Sequence, residues 1–543
     1  MEMQQSHMMT DQGEQGKSWM LYHILDRYIG SRQVVAIRRK TTLLFDQIAQ
    51  RTKHPVKIFS TGSSAEGMEM KGSDMDYMMI DSYVKVLSGD EDVRCVEDSP
   101  EKTVFVMRDT NSRPGYVILQ LVNLGEEGCT HMADSIVSVG DQQFISSEIY
   151  THLYAESGNM ETHGPAVSLM KEHDDNEAKG DFDFSHSFPC TSWPRQANEW
   201  RNRPRLYGWP NETLRYQIVK GGCHLVPVGD KTSSGAFLQW RISFTTAERK
   251  LIHSLTHVQF LVYGLLKYLL KQIADALKQL LGDTEVVSSY ILKTTVFYAV
   301  ENTPESFWKE ENIFHGFMFC IKILIYWVHA GYCPNYFISN NNMIFGKVHG
   351  ENQKRLLSFL VELYGITWDC LSIGEYIHPS LGQLVSRVRN GEWQIAQPTP
   401  TQLERDHDLK TFLKIFPLAN NSFVLPITLK RLTESSTDLD EFIGYFTTTK
   451  ALCAGGITIF EKHHATAKGN KQKYKALRIS KRFMAPFSSV CTSPGLLLLA
   501  TFHYQTGNYM KAIELCEQMI SSFKMFVGDG SFVSKDIEKY KLI

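Results

Sequence analysis

Thr61-Gly62-Ser63-Ser64-Ala65-Glu66-Gly67, followed shortly by Ser73-Asp74-Met75-Asp76-Tyr77-Met78-Met79-Ile80, is the stretch on which the reading of this chain turns. The apolar run Val56-Lys57-Ile58-Phe59 reads as a strand that breaks at Gly62-Ser63 into a loop of small residues. Glycine lets a backbone approach an anion closely, and a serine hydroxyl with neighbouring N–H groups can cradle phosphate oxygens. A second strand begins at Asp74. Side chains alternate along a strand, so Asp74 and Asp76 share one face while Met75 and Tyr77 take the other. Two carboxylates beside a phosphate loop suit a divalent cation that bridges a nucleoside triphosphate. Either half alone has an ordinary explanation, as a surface turn or a solvated strand start. The combination carries the chemistry.

Strand, Gly-Ser loop, spacer and Asp-x-Asp on a second strand resemble the polymerase-beta-like nucleotidyltransferases. That resemblance requires a third carboxylate on a later strand, because two metal ions need a shared set of ligands. Asp181-Phe182-Asp183-Phe184-Ser185-His186-Ser187-Phe188 alternates polar and apolar residues and puts Asp181, Asp183 and Ser185 on its polar face. Asp183 is the favoured third ligand, with Asp181 the alternative.

The 543 residues suffice for two to four domains, and 43% hydrophobic with 21% charged residues is the balance of a water-soluble globular protein. A net charge of −2 gives no global basic field, so any nucleic-acid surface must be local. The polar segment 1–17 reads as a disordered tail without a signal pattern. The longest apolar stretch, 313–330, is interrupted by His315, Lys322 and His329 and reads as a buried core helix, not a membrane span. Ten cysteines stand singly with no C-x-x-C pair, which points to a reduced, cytoplasmic protein without a zinc site.

Helical spacing runs through 18–51, with a kink at Gly30-Ser31 and a basic patch of Arg32, Arg38, Arg39 and Lys40. Such a patch is ordinarily a solvated face, and here it is also the candidate nucleic-acid contact. Runs 103–107 and 116–122 flank turn residues and predict a hairpin, 142–156 a helix, and 173–180 a loop. Cys190-Thr191-Ser192-Trp193-Pro194, Glu199-Trp200-Arg201 and Gly208-Trp209-Pro210 form an aromatic connector, after which 225–229 and 236–244 are strand-like. The expected fold is α+β: a mixed-sheet nucleotidyltransferase core over 18–245, a helix-hairpin-helix-like lobe over 246–396, a linker at 397–405, and a helical region over 406–543. In that last region the basic run from Lys462 to Arg482 reads as a mobile loop, and 493–520 as one tetratricopeptide-like hairpin.

Across 18–397 the ordered segments GSSAEG…SDMDYM, HGPAV, SWP…EW…GWP, LVPVG, WRISF, LLKYLLK, SSYILKT and NYFI resemble the male-abnormal (Mab) type nucleotidyltransferases, specifically the cyclic GMP-AMP synthase-like receptor branch. The resemblance implies metal-dependent joining of two nucleoside triphosphates into a cyclic dinucleotide second messenger of innate immunity. It implies Mg2+, with Mn2+ as a substitute, on Asp74, Asp76 and Asp183; triphosphate on Gly62, Ser63 and Lys267; and phosphate and base contacts from Ser288, Ser289 and Tyr290. It further implies base reading by Arg241, Ser243 and Glu248. His253 and His257 stand without cysteines where the DNA-sensing relative carries its zinc insertion, so double-stranded RNA is the favoured activator and a trigger other than nucleic acid the alternative. A non-catalytic Mab-type scaffold and a template-independent RNA nucleotidyltransferase are the rival readings.

Overall fold

In the computed structural model, residues 2–51, 56–68, 70, 75–89, 101–109, 113–125, 130–158, 160–163, 166–169, 182–282, 286–374, 379–391, 424–466, 469–490 and 494–521 are described. The chain divides into two units: Met1–Arg32, Thr61–Met170 and Asp181–Gln397 make the first, and Gln33–Ser60, Lys171–Gly180 and Pro398–Ile543 the second. Asp74, Asp181, the loop expected at 173–180 and the linker at 397–405 lie outside the described residues.

Helix α1 (Glu2–Ile29) takes in the segment expected to be a tail. Met, Gln and Glu dominate there, and all are good helix formers without needing an apolar face. Gly30 at φ +134° then separates α1 from α2 (Arg32–Ala49), a break rather than a kink. Strand β1 (Val56–Thr61) leads into the single turn α3 (Gly62–Ala65). There follow β2 (Met75–Asp81), β3 (Val84–Leu87), β4 (Thr103–Asp109), β5 (Tyr116–Asn123), α4 (Thr130–Asp134), β6 (Ile136–Val139), β7 (Gln142–Ile145) and α5 (Ser147–Gly158). The helix expected over 142–156 is therefore a strand and a helix, because Phe144 and Ile145 continue the sheet before Ser147 starts the turn. After β8 (Met160–His163), β9 (Ala166–Leu169) and β10 (Phe182–Cys190) come α6 (Asn198–Asn202), α7 (Glu212–Gly221), β11 (Cys223–Val226) and β12 (Gln239–Ser243).

In the first unit the strands run β2-β10-β11-β12-β5-β4-β3, with β9 and β8 branching from β10, and β7 and β6 from β5. β2 pairs parallel with β10 and β3 parallel with β4; the other pairings on that path are antiparallel, so the sheet is mixed. β4 and β5 form the expected antiparallel pair. Phe188 stacks on Trp240 at 4.6 Å and on Phe105 at 5.8 Å, and all three rings are fully buried. Their area dominates the core of the sheet.

The helical lobe of the same unit contains α8 (Thr245–Ser254), α9 (His257–Gln272), α10 (Ala274–Leu281), α11 (Ser289–Glu301), α12 (Ile313–Ala330), α13 (Gly350–Gly365) and α14 (Leu381–Arg389). A capping box between Thr256 and Gln259 starts α9, whose side chains are nearly all buried. Among the described residues one helix, Glu310–Ala330, is long and apolar enough to cross a membrane; its Phe317, Cys320, Ile321 and Leu324 are buried where α12 packs on α9, α11 and α13. The aromatic connector is anchored in this lobe. Trp200 lies 5.0 Å from Phe337, and Arg203 sits over Tyr298 and Tyr336 with its Nε 2.9 Å from the buried Glu301 carboxylate.

The second unit joins α2 to α15 (Val424–Thr433) and α16 (Asp438–Thr466) through Leu44, Ile48, Val424, Ile427, Ile443 and Ala451. Lys40 Nζ reaches Asp440 at 2.5 Å. The basic run expected to be a loop is instead the end of α16 and the helix α17 (Asn470–Val490). Lys, Arg and Gln favour helix, and Ala476, Ser480, Met484 and Phe487 recur on one buried face. α18 (Pro494–Gln505) and α19 (Tyr509–Ser521) pack on each other, with Gly507 at φ +80° between them.

Burial pushes both His186 and His224 from 6.5 down to about 4. The unfolded chain takes up these protons below about pH 6.5, whereas the folded chain resists until about pH 4. Stability is thus full above pH 6.5 and falls as pH drops towards 4, by up to about 3 kcal/mol per histidine. Urea denaturation across this window should show a shallower decline in a His186→Phe/His224→Phe variant than in the parent. An unchanged slope would show that these imidazoles do not carry the acid sensitivity.

Candidate active site

Small residues let the chain leave β1 in a tight turn. Gly62 takes φ +66°, and a Cβ built there would stand 1.7 Å from Asp76 Oδ2. At that φ and that distance any side chain would be strained and would displace the Asp76 carboxylate. The amides of Glu66 and Met68 donate back to the Ser63 carbonyl at 3.1 and 2.9 Å, which winds the turn and fixes Ser63 at its start.

Asp76 on β2 and Asp183 on β10 are direct partners in a parallel register. Residues in register on adjacent strands share a face at a strand spacing of about 4.8 Å. The following pair, Tyr77 and Phe184, stacks at 5.8 Å on the opposite face. Two of the three expected carboxylates are thus brought together, and Asp74 lies outside the described residues. Among the described residues no cluster of three His, Cys, Asp or Glu side chains forms a metal site. The two facing carboxylates nonetheless fit a hard divalent cation, whose ligands are oxygens.

Lys267 reaches over from α9, and its Nζ donates to Ser63 Oγ. Burial lowers its pKa from the usual lysine value; Glu66 and Asp76 oppose that shift, while Lys293 and Lys271 reinforce it. An anion arriving at Ser63 would relieve the same strain. Behind the turn, Lys293 on α11 is buried between Glu66 at 2.6 Å and Glu248 at 3.2 Å, and Tyr263 donates to Glu66 at 3.3 Å. Burial alone would lower the Lys293 pKa, but the two carboxylates outweigh it and leave it well above the usual value. His253 bonds the Ala65 carbonyl at 3.0 Å, tying α8 to the same turn.

Tyr290 lies in the first turn of α11, after the N-cap Ser288 and the exposed Ser289, and its hydroxyl accepts from Asn335 at 2.9 Å. Burial first, then the Glu248 carboxylate, raises its pKa, with Lys293 and Arg241 opposing. Arg241 and Ser243 are half-buried on β12, and Ser243 pairs its hydroxyl with Thr245 at 2.8 Å. Glu248 is buried on Lys293. His257 bonds Asp26 at 2.7 Å. Of the basic patch at the start of α2, Arg32 is exposed, Lys40 is held by Asp440, and Arg38 and Arg39 have partners of their own.

In the sequence Glu66, Tyr263 and above all Lys293 are given no role, and His253 stands out only for the lack of cysteines beside it. Both charges lie inside quoted motifs, GSSAEG and SSYILKT, yet nothing local marks them as partners. Removing a buried cation leaves unpaired carboxylates, so Lys293→Met should cost about 3–5 kcal/mol in urea denaturation. Adding Glu66→Gln and Glu248→Gln should recover part of that loss. If Lys293→Met costs under about 1 kcal/mol, the value of an exposed pair, the clamp is not structural.

Residues 98–254 match the family model described as the Mab-21 protein nucleotidyltransferase domain, and residues 262–361 match that of the Mab-21 protein HhH/H2TH-like domain. The first runs through the sheet from β4 to α8, and the second covers the helical lobe from α9 into α13. A mixed-sheet nucleotidyltransferase domain followed by its helical partner, in that order, makes this chain a member of the Mab-21 type nucleotidyltransferase family.

Proposed function

We propose that this chain is a ligand-activated nucleotidyltransferase that joins two nucleoside triphosphates into a cyclic dinucleotide, releasing pyrophosphate, as a messenger of innate immune signalling in the cytoplasm. The observation that carries it is the contact set Gly62, Asp76, Asp183, Ser63 and Lys267, which sets a carboxylate pair against a turn with a cation-held hydroxyl.

Gly62 and Ser63 hold the donor triphosphate, and Lys267 neutralises it from the helical lobe. Bound Mg2+ or Mn2+ on Asp76, Asp183 and Asp74 would supply charge neutralisation of the triphosphate and a more acidic attacking hydroxyl. Asp183 accepts the proton of the attacking ribose hydroxyl. Tyr290 stacks on a base, Ser288 and Ser289 meet phosphate, and Arg241, Ser243 and Glu248 read base edges. The activator in this reading is a ligand such as double-stranded RNA. The resemblance over 18–397 supports the substrate pairing, the activation and the immune role.

Purified protein with the four nucleoside triphosphates and Mg2+ or Mn2+, with and without duplex RNA, should yield a phosphatase-resistant dinucleotide by mass spectrometry. Asp76→Asn and Asp183→Asn should each cut product formation at least about a hundredfold while leaving the melting temperature near that of the parent. Gly62→Ala should abolish it through the clash with Asp76. Extension of a labelled RNA primer, with no cyclic product under any condition, would replace this reading with that of an RNA nucleotidyltransferase.

A further inference from the structure

We infer that the outer face of α17 is a docking surface for the sugar-phosphate backbone of a nucleic-acid duplex. The surface belongs to the second unit and lies outside both family domains. Six cations on this helix are exposed: Lys471, Lys473, Lys475, Arg478, Lys481 and Arg482. None is among the residues that form an ion pair within the described structure, and the helix contains no Asp or Glu. At 100° per residue, Lys471, Lys475, Arg478 and Arg482 fall on one face, opposite the buried Ala476, Ser480, Met484 and Phe487. The four span about 16 Å of rigid helix.

Charge of one sign, held in a straight row, complements a polyphosphate, whereas the net charge of −2 for the chain gives no general attraction. A membrane helix would insert large apolar side chains. Here those of α17 point inward, and the exposed ring is Tyr474, 72% accessible. One aromatic is also too few for the stacking platform that single strands require. A duplex presents phosphates in a fixed lattice and asks for nothing but positioned cations.

The full chain should be titrated against a labelled mixed-sequence DNA duplex by fluorescence anisotropy over a salt series, without nucleotide, so that the outcome is independent of the synthase reading. In a Lys471→Gln/Lys475→Gln/Arg478→Gln/Arg482→Gln variant, whose substitutions keep helix propensity, the slope of log K against log salt should become shallower by about 3.6. Low-salt affinity should fall on the order of a hundredfold. Lys475→Gln/Arg478→Gln alone should remove about 1.8 from the slope, which keeps the test valid if the fourfold variant loses its circular-dichroism signature. Lys354→Gln/Arg355→Gln, on a different exposed helix, should change neither quantity. An unchanged slope in both α17 variants overturns the assignment. So does equal, α17-dependent binding of the single strand, or binding to phosphatidylserine vesicles with none to the duplex.

Discussion

One buried ammonium group organises the candidate site. Lys293 projects from α11 between Glu66, on the turn that carries Ser63, and Glu248, on α8 just after the strand that carries Arg241 and Ser243. Its own helix begins with Ser289 and Tyr290. A single side chain therefore fixes the relative placement of three elements that bear the expected nucleotide contacts. Taking three charges out of water is expensive, and well-packed apolar residues would serve stability as well or better. Geometry is what the arrangement gains, since one side chain holds the Ser63 turn, α8 and α11 in a fixed relation.

The charges around that clamp divide by need. Asp76 and Asp183, face to face in register, repel each other and favour a cation. Lys267, with its pKa lowered by burial, favours an anion beside Ser63. A triphosphate carrying a divalent ion satisfies both with one ligand, whereas a nucleotide without metal or a metal without nucleotide satisfies half. A scaffold has no physical use for both demands in one place, which favours the enzymatic reading over an inert member of the family.

What could be read from the sequence follows from how local each signal is. The β4–β5 pairing declares itself through two apolar runs that flank turn residues and the Asp183 strand through alternation over a few residues, and the Asp76–Asp183 meeting follows from the first motif's own requirement. The Lys293 clamp could not be read this way. An ion pair between distant segments leaves no periodic trace, and a lysine on a helix is usually a surface residue. The grouping of α2 with the C-terminal helices was hidden for the same reason, because Leu44 and Ile48 show that a face is buried and not what buries it. The basic run was misread because its buried face is made of Ala476 and Ser480 as much as Met484 and Phe487, which dilutes the apolar period under a run of lysines.

The two sets of lysines in this protein therefore obey different physics. Those around Ser63 and Glu66 are buried, so mobile ions reach them weakly and their partners are set by the fold. Those on α17 are exposed, with no fixed anion among the described residues, and at physiological ionic strength their field extends only about 8 Å. Salt should separate the two groups cleanly. Ionic strength sufficient to strip a polyanion from α17 will scarcely disturb Lys293 between its carboxylates. A steep salt dependence of polyanion binding would therefore be assigned to the exposed helix and not to the buried lysines.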